Sequence, residues 1–184
     1  MRIFTAAAFA ATCLCSSLCF SSAGAAGIDC NSLEKWKTVD GYTVNQHHVF
    51  CGEINRRGKA VGFHSMPKRQ RPSTILSYDG VCNVPGIYTL RNIQIDFHGE
   101  KGTKSMSTMF PNACTMEQVN KSIAYSAQHS TGKCSSPGWA NCGPSAPSRG
   151  DIFAYCTTEG GKPFTIASAF VGGTKKINTG FPVQ

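Results

Sequence analysis

The chain has 184 residues, 41% hydrophobic and 15% charged, and its 18 Lys and Arg against 10 Asp and Glu give a formal net charge of +8. Beyond the N-terminal segment no apolar stretch is long enough to cross a bilayer, and the absence of any C-x-x-C among ten cysteines removes the strongest zinc signature. A basic excess suits an anionic partner such as RNA or a bacterial or membrane surface, but solubility alone also explains it, so charge does not decide function.

The chain opens Met1-Arg2-Ile3, runs apolar from Phe4 to Phe20 and closes on Ser21-Ser22-Ala23-Gly24-Ala25-Ala26. A short basic start, an apolar core and a small-residue end predict a secretory signal peptide over 1–26, cleaved after Ala25 or Ala26. The lipoprotein alternative at Cys15 or Cys19 fits poorly, because Leu14 and Leu18 stand where a small residue is expected. Residues 27–184 then form one domain, large enough for a full core and expected to be soluble and monomeric, without membrane insertion. They retain Cys30, Cys51, Cys82, Cys114, Cys134, Cys142 and Cys156. In an exported chain these predict a disulfide framework with one thiol left over. Cys134 and Cys142, flanking a Pro/Gly-rich loop, are the best local pair; the remaining connectivity stays open.

Tyr42–Cys51 reads as a strand and Ala60–His64 as a second, separated by the turn Asn55-Arg56-Arg57-Gly58. Tyr88, Leu90, Ile93, Ile95 and Phe97 alternate with polar residues and predict a strand over 88–97. Ser105–Phe110 reads as a short strand ended by Pro111. Thr115 and Gln118 make a capping box, and Met116, Val119, Ile123 and Ala127 repeat at helical spacing to Gln128. Residues 135–150, rich in Ser, Pro and Gly, predict a flexible loop. Asp151–Cys156, Phe164–Val171 and Lys175–Pro182 read as closing strands. The order predicts an α+β domain with largely antiparallel sheets and a helix packed alongside.

The informative block is His47-His48-Val49-Phe50-Cys51-Gly52-Glu53-Ile54 followed by Gly58-Lys59-Ala60-Val61-Gly62-Phe63-His64-Ser65. A hairpin across the basic turn brings His48 and His64 to one end of a sheet, where two imidazoles can serve as base and acid near neutral pH. On spacing alone, surface or capping roles are the commoner fate of two histidines.

H-V-F-x-G-E-I…G-K-x-x-G-F-H resembles the signature of the EndoU endoribonucleases. Ser107-Thr108-Met109-Phe110-Pro111 is similar to the S-T-x-F-P segment of bacterial members, and Thr179-Gly180-Phe181-Pro182 to the family's closing T-x-Y-P. The resemblance covers roughly residues 40 to 184. It implies catalytic histidines at His48 and His64 and a catalytic lysine just ahead of Ser107, where Lys104 is preferred over Lys101. It implies Thr179 against the base and an aromatic at Phe181, here without the tyrosine hydroxyl. Glu53 matches the family and is expected to orient the hairpin, whereas His47 replaces a glutamate common in animal members.

The implied reaction is metal-independent and needs no cofactor. A base acts on the ribose 2′-hydroxyl, an acid on the leaving 5′-oxygen and a cation on the phosphorane, giving a 2′,3′-cyclic phosphate, with uridine the expected site. The partners implied are RNA and, for a toxin, a neutralising immunity protein. His98 and His129 are expected to face solvent, and Trp36 and Trp139 to serve packing; Asp151 is open as a histidine partner. No phosphate-binding glycine loop, G-x-S-x-G or H-E-x-x-H is present. The alternatives are a catalytically weak RNA- or surface-binding module on the same fold, and a disulfide-stapled inhibitor or structural protein.

Overall fold

The computed structural model describes residues 27–80 and 85–184; the predicted signal peptide and Cys82 lie outside the described residues. The strands are β1 (Trp36–Val39), β2 (Tyr42–Asn45), β3 (Glu53–Ile54), β4 (Ala60–Val61), β5 (Ile75–Asp79), β6 (Tyr88–Phe97) and β7 (Glu100–Met109). The helix α1 (Met116–Gln128) is followed by β8 (Gly132–Lys133), β9 (Asn141–Pro144), β10 (Thr165–Phe170) and β11 (Lys176–Pro182). They form a six-stranded sheet in the order β1-β2-β11-β10-β9-β8, a three-stranded sheet β5-β6-β7 and the small hairpin β3-β4. The pairing is antiparallel except between β11 and β2. This is the α+β, disulfide-stabilised architecture expected.

The helix forms as its sequence dictates. Thr115 accepts from the Gln118 backbone N–H at 3.2 Å, and the Gln118 side chain accepts from the Thr115 N–H at 2.8 Å, satisfying two orphan donors of the first turn. Val119, Ile123 and Ala127 bury one stripe against Val44, Ile166 and Ile177 of the six-stranded sheet. The approach is close: a Cβ at Gly143 on β9 would lie 2.2 Å from the Ser126 carbonyl oxygen, so only glycine fits there. A second core, with Phe63, Met66, Leu90, Ile93, Ile95 and Met109 at its centre, covers the inner face of the three-stranded sheet.

Among the described residues, three bridges join Cys30 to Cys51, Cys114 to Cys156 and Cys134 to Cys142, the last being the local pair expected. No helix among the described residues is long and apolar enough to cross a membrane.

Four element expectations are corrected, one being that the strand predicted over 60–64 ends at Val61. The strand predicted over 42–51 stops at Asn45, and His47–Cys51 forms a π-helical turn in which His48, Val49, Phe50 and Cys51 are all buried. A short run buried on every side lacks the alternation that separates strand from helix in sequence. Within the predicted loop 135–150, Asn141–Pro144 is a sheet strand, β9, secured on one side by β10 and on the other by β8. Nearby, Ile152–Ala154 is a 3₁₀ turn and not part of a strand. For β9, tertiary pairing, absent from local composition, decided the outcome.

Candidate active site

Between the two larger sheets lies an open cavity of about 830 Å³, whose walls include His48, His64, Lys104, Thr179, Phe181 and Trp139. The two histidines come from irregular segments, not from strands. His48 stands on the π-helical turn, and His64 follows β4. Backbone hydrogen bonds lock the two segments together: Phe63 N–H donates to the His48 carbonyl and His64 N–H to the Val49 carbonyl, each at 2.7 Å. The crossing is so tight that a Cβ at Gly62 would lie 2.3 Å from the His48 carbonyl oxygen, and Gly62 itself holds φ +76°. Phe63 adopts φ 57°, a left-handed conformation that costs roughly 1–3 kcal/mol in a non-glycine residue and marks a segment held by its surroundings. The imidazole centroids end 5.9 Å apart, and both residues are less than a tenth exposed.

Hydrogen-bond partners define which ring nitrogen carries the proton. His64 Nδ1 lies 3.1 Å from the Thr108 carbonyl oxygen, which can only accept, so Nδ1 is protonated. Ser107 Oγ, 3.0 Å away, cannot supply that proton because it donates to the Phe63 carbonyl at 2.7 Å. The neutral His64 ring therefore carries its lone pair on Nε2. Burial first, then the charges of Lys104 and His48, hold the His64 pKa well below its ordinary value of 6.5. His64 is thereby held in its neutral form.

His48 Nδ1 lies 2.9 Å from Glu53 Oε1, and a carboxylate likewise only accepts, so the proton on Nδ1 faces Glu53 and Nε2 is left for the cavity. Burial raises the Glu53 pKa, but the hydrogen bond from His48 and the charges of His48, Lys35 and His47 outweigh it and hold it below 4.5. Asn45 completes the support: its Oδ1 accepts from the His48 N–H at 3.1 Å, and its Nδ2 donates to Asn178 Oδ1 at 3.0 Å.

Lys104 projects from β7 toward the same place. Its Nζ donates to the Gly62 carbonyl at 2.5 Å and to Ser107 Oγ at 2.9 Å, and burial lowers its pKa from 10.5 to about 7. Lys101, the alternative, is largely exposed and pairs with Asp96 at 3.6 Å, away from the cavity. On the opposite wall, Thr179 is 7% exposed, opposite Ala169 and beside a register shift between Ala169 and Phe170. Phe181 stacks on His64, ring centroids 5.0 Å apart and planes 23° apart.

The remaining sequence candidates fall outside the cavity walls. His47 sits 2.6 Å from the Leu33 carbonyl, His98 occupies the β6–β7 turn, and His129 stacks on Tyr125 at the end of α1. Trp36 lies on β1 beneath Lys176, and Asp151 is an exposed loop residue. Trp139 corrects its expectation. It is 59% exposed, not packed, and stands on the cavity rim 5.9 Å from Phe181. Sequence reading gave no role to Ser107, Asn45 or Asn178; Ser107 stood inside a quoted motif, but nothing in sequence placed its hydroxyl between Lys104 and His64. Among the described residues no group of three or more His, Cys, Asp or Glu could hold a metal ion.

The profile of the bacterial EndoU nuclease family matches residues 43–184. A protein of Bacillus cereus (strain ATCC 14579) named "Toxin" is 31% identical over 77 residues, which cover 41% of this chain and 14% of that protein. The chain thus spans a small part of that relative's length. No solved structure matches the chain.

Proposed function

The chain belongs to the bacterial EndoU nuclease family, and on that premise we propose that it is an endoribonuclease acting on single-stranded RNA, cutting 3′ of uridine. His64 Nε2 takes the proton of the ribose 2′-hydroxyl, and the 2′-oxygen attacks phosphorus. The bond to the 5′-oxygen breaks as His48 Nε2 delivers a proton to it, leaving a 2′,3′-cyclic phosphate and a free 5′-hydroxyl. The Lys104 ammonium faces the non-bridging oxygens, where negative charge grows in the phosphorane. Thr179 contacts the base, the Phe181 ring lines the nucleotide site and holds the His64 imidazole by stacking, and Glu53 positions His48.

The observation that carries the reading is the paired imidazoles. Each is tautomer-fixed through Nδ1 by an acceptor, and together they share one cavity with a half-buried lysine. The roles follow from surroundings: the ring beside the lysine is neutral and suits the base, while the ring beside a carboxylate suits the acid.

Export as a toxin is part of the proposal. Three disulfides suit an oxidising compartment, the N-terminal sequence reads as a leader, and the Bacillus cereus relative is named a toxin. A cell making such an enzyme carries the substrate itself, so a neutralising immunity protein is the expected partner.

The test is to incubate the oxidised protein with a short uridine-containing RNA in EDTA. Cleavage ending in a cyclic phosphate, abolished by deoxyuridine at the cut site and by His64→Ala, is expected. Intact RNA under these conditions, with a folded protein, overturns the reading in favour of a binding module.

A further inference from the structure

We propose that Trp139 forms a second nucleotide site, stacking the base of the residue on the 5′ side of the cleaved nucleotide. The inference rests on the endoribonuclease reading and extends it by one subsite.

Its basis is a row of rings. His48 contacts His64, His64 stacks on Phe181, and Phe181 contacts Trp139, with successive centroids 5.9, 5.0 and 5.9 Å apart. Phe181 is engaged by an aromatic neighbour on both sides. It also packs against the small core of Cys134, Ala140 and Ala167, which leaves its ring only partly exposed. Trp139 ends the row and is 59% exposed, an unusual state for so large an apolar side chain. An exposed indole beside a cavity that holds a half-buried lysine and two imidazoles suits a nucleobase, whose face stacks on an aromatic whatever its identity.

The support beneath Trp139 is rigid. The Cys134–Cys142 bridge closes its loop, and inside that loop the Cys134 N–H donates to the Ala140 carbonyl at 3.0 Å and the Ala140 N–H to the Pro137 carbonyl at 3.1 Å. Lys133 Nζ donates to the Trp139 carbonyl at 3.3 Å. A loop whose backbone is pinned before binding loses little freedom on binding, which is the condition for a stacking platform.

The direction follows from the order of the rings. His48, the acid, marks where the 3′ product leaves. His64, the base, marks the ribose of the cleaved nucleotide. Trp139 joins the row through Phe181 at its His64 end and makes no ring contact with His48, so the chain entering from the 5′ side reaches it.

Two substrates test this: the dinucleotide UpA and the trinucleotide ApUpA. The parent protein is expected to cleave ApUpA with the higher kcat/KM. In Trp139→Ala that advantage falls by roughly 5- to 150-fold, the range of base–aromatic stacking, and Trp139→Phe retains most of it. A Trp139→Ala protein that keeps the parent's full preference for ApUpA, or that loses both substrates in equal proportion, overturns the subsite while leaving the nuclease intact. A parent that cleaves neither substrate fails at the earlier reading. Fluorescence gives a second measurement that needs no catalysis. The chain has two tryptophans, and a 2′-deoxy oligonucleotide should quench emission in the parent and in Trp36→Phe but not in Trp139→Phe. Quenching that persists in Trp139→Phe overturns the proposal, including in the case where Trp139→Ala does not fold.

Discussion

The cavity wall built around the three-stranded sheet carries Lys104, Ser107 and His64, whose Nζ, Oγ and Nδ1 atoms are engaged by backbone carbonyls or by one another. The wall from the six-stranded sheet and its disulfide-closed loop carries Thr179, Phe181 and Trp139, two of them rings, and no charge faces the cavity from them. On the first wall a cation and an imidazole are held with depressed basicity because burial penalises their charged forms. On the second, neutral groups are held by sheet pairing and a covalent bridge, which add shape without electrostatic cost. Charge that must change during a reaction and surface that must fit a nucleotide are thus carried by different sheets, so changes to the two should fail differently.

The largest effect is expected on the first wall. His64→Ala and His48→Ala should each lower kcat by about 10²–10⁴-fold with the thermal transition nearly unchanged, checked by rate and melting on the same samples. Activity near the parent's level in His64→Ala would remove the acid–base pair from the mechanism.

Lys104→Met comes next. Removing positioned charge at the phosphorane should lower kcat/KM by about 10²-fold. In the parent, kcat/KM should decline above pH 7, because Lys104 in the free enzyme loses its proton near there, and this limb should be missing from Lys104→Met. Stability moves the other way. Lys104 titrates near 7 folded but at 10.5 unfolded, so the unfolded chain binds more protons in between, and stability should rise with pH across that window. His64 adds the same sign below 6.5, and Glu53 adds stability that is lost as pH falls through the acid range. Melting temperatures across pH 5–10 should therefore climb, with a flatter slope above pH 7 in Lys104→Met.

Changes on the second wall should be milder in activity. Phe181→Ala should lose on the order of 1–3 kcal/mol in kcat/KM through lost stacking, while Phe181→Tyr should change the rate only a few-fold. A severalfold gain in Phe181→Tyr would instead assign the missing hydroxyl a role in orienting substrate. The smallest catalytic effect belongs to the disulfides, whose loss should appear mainly as stability. Breaking Cys114–Cys156, with 42 residues of separation, should cost about 2–4 kcal/mol, and breaking Cys134–Cys142, with 8, should cost less. Calorimetry of the paired Cys→Ser variants checks the order.

Much of this was legible from residues alone. The capping box at Thr115 and Gln118, the alternation over 88–97, the Cys134–Cys142 pair and the gathering of His48, His64 and Lys104 all came from local pattern or from motifs. Such features depend on neighbours in sequence or on residue types that one chemistry demands. Tertiary structure alone decided the π-helical turn at His47–Cys51, the strand inside the Ser/Pro/Gly-rich segment and the exposure of Trp139. It also decided the proton positions, since the Thr108 carbonyl and the Glu53 carboxylate fix the two histidine tautomers. The choice of Lys104 over Lys101 as the cavity lysine has the same origin, because burial against the Gly62 carbonyl separates two lysines three positions apart that sequence could only rank. A side chain's type is written in the chain, but its basicity and its partner are set by what the fold brings within 3 Å of it.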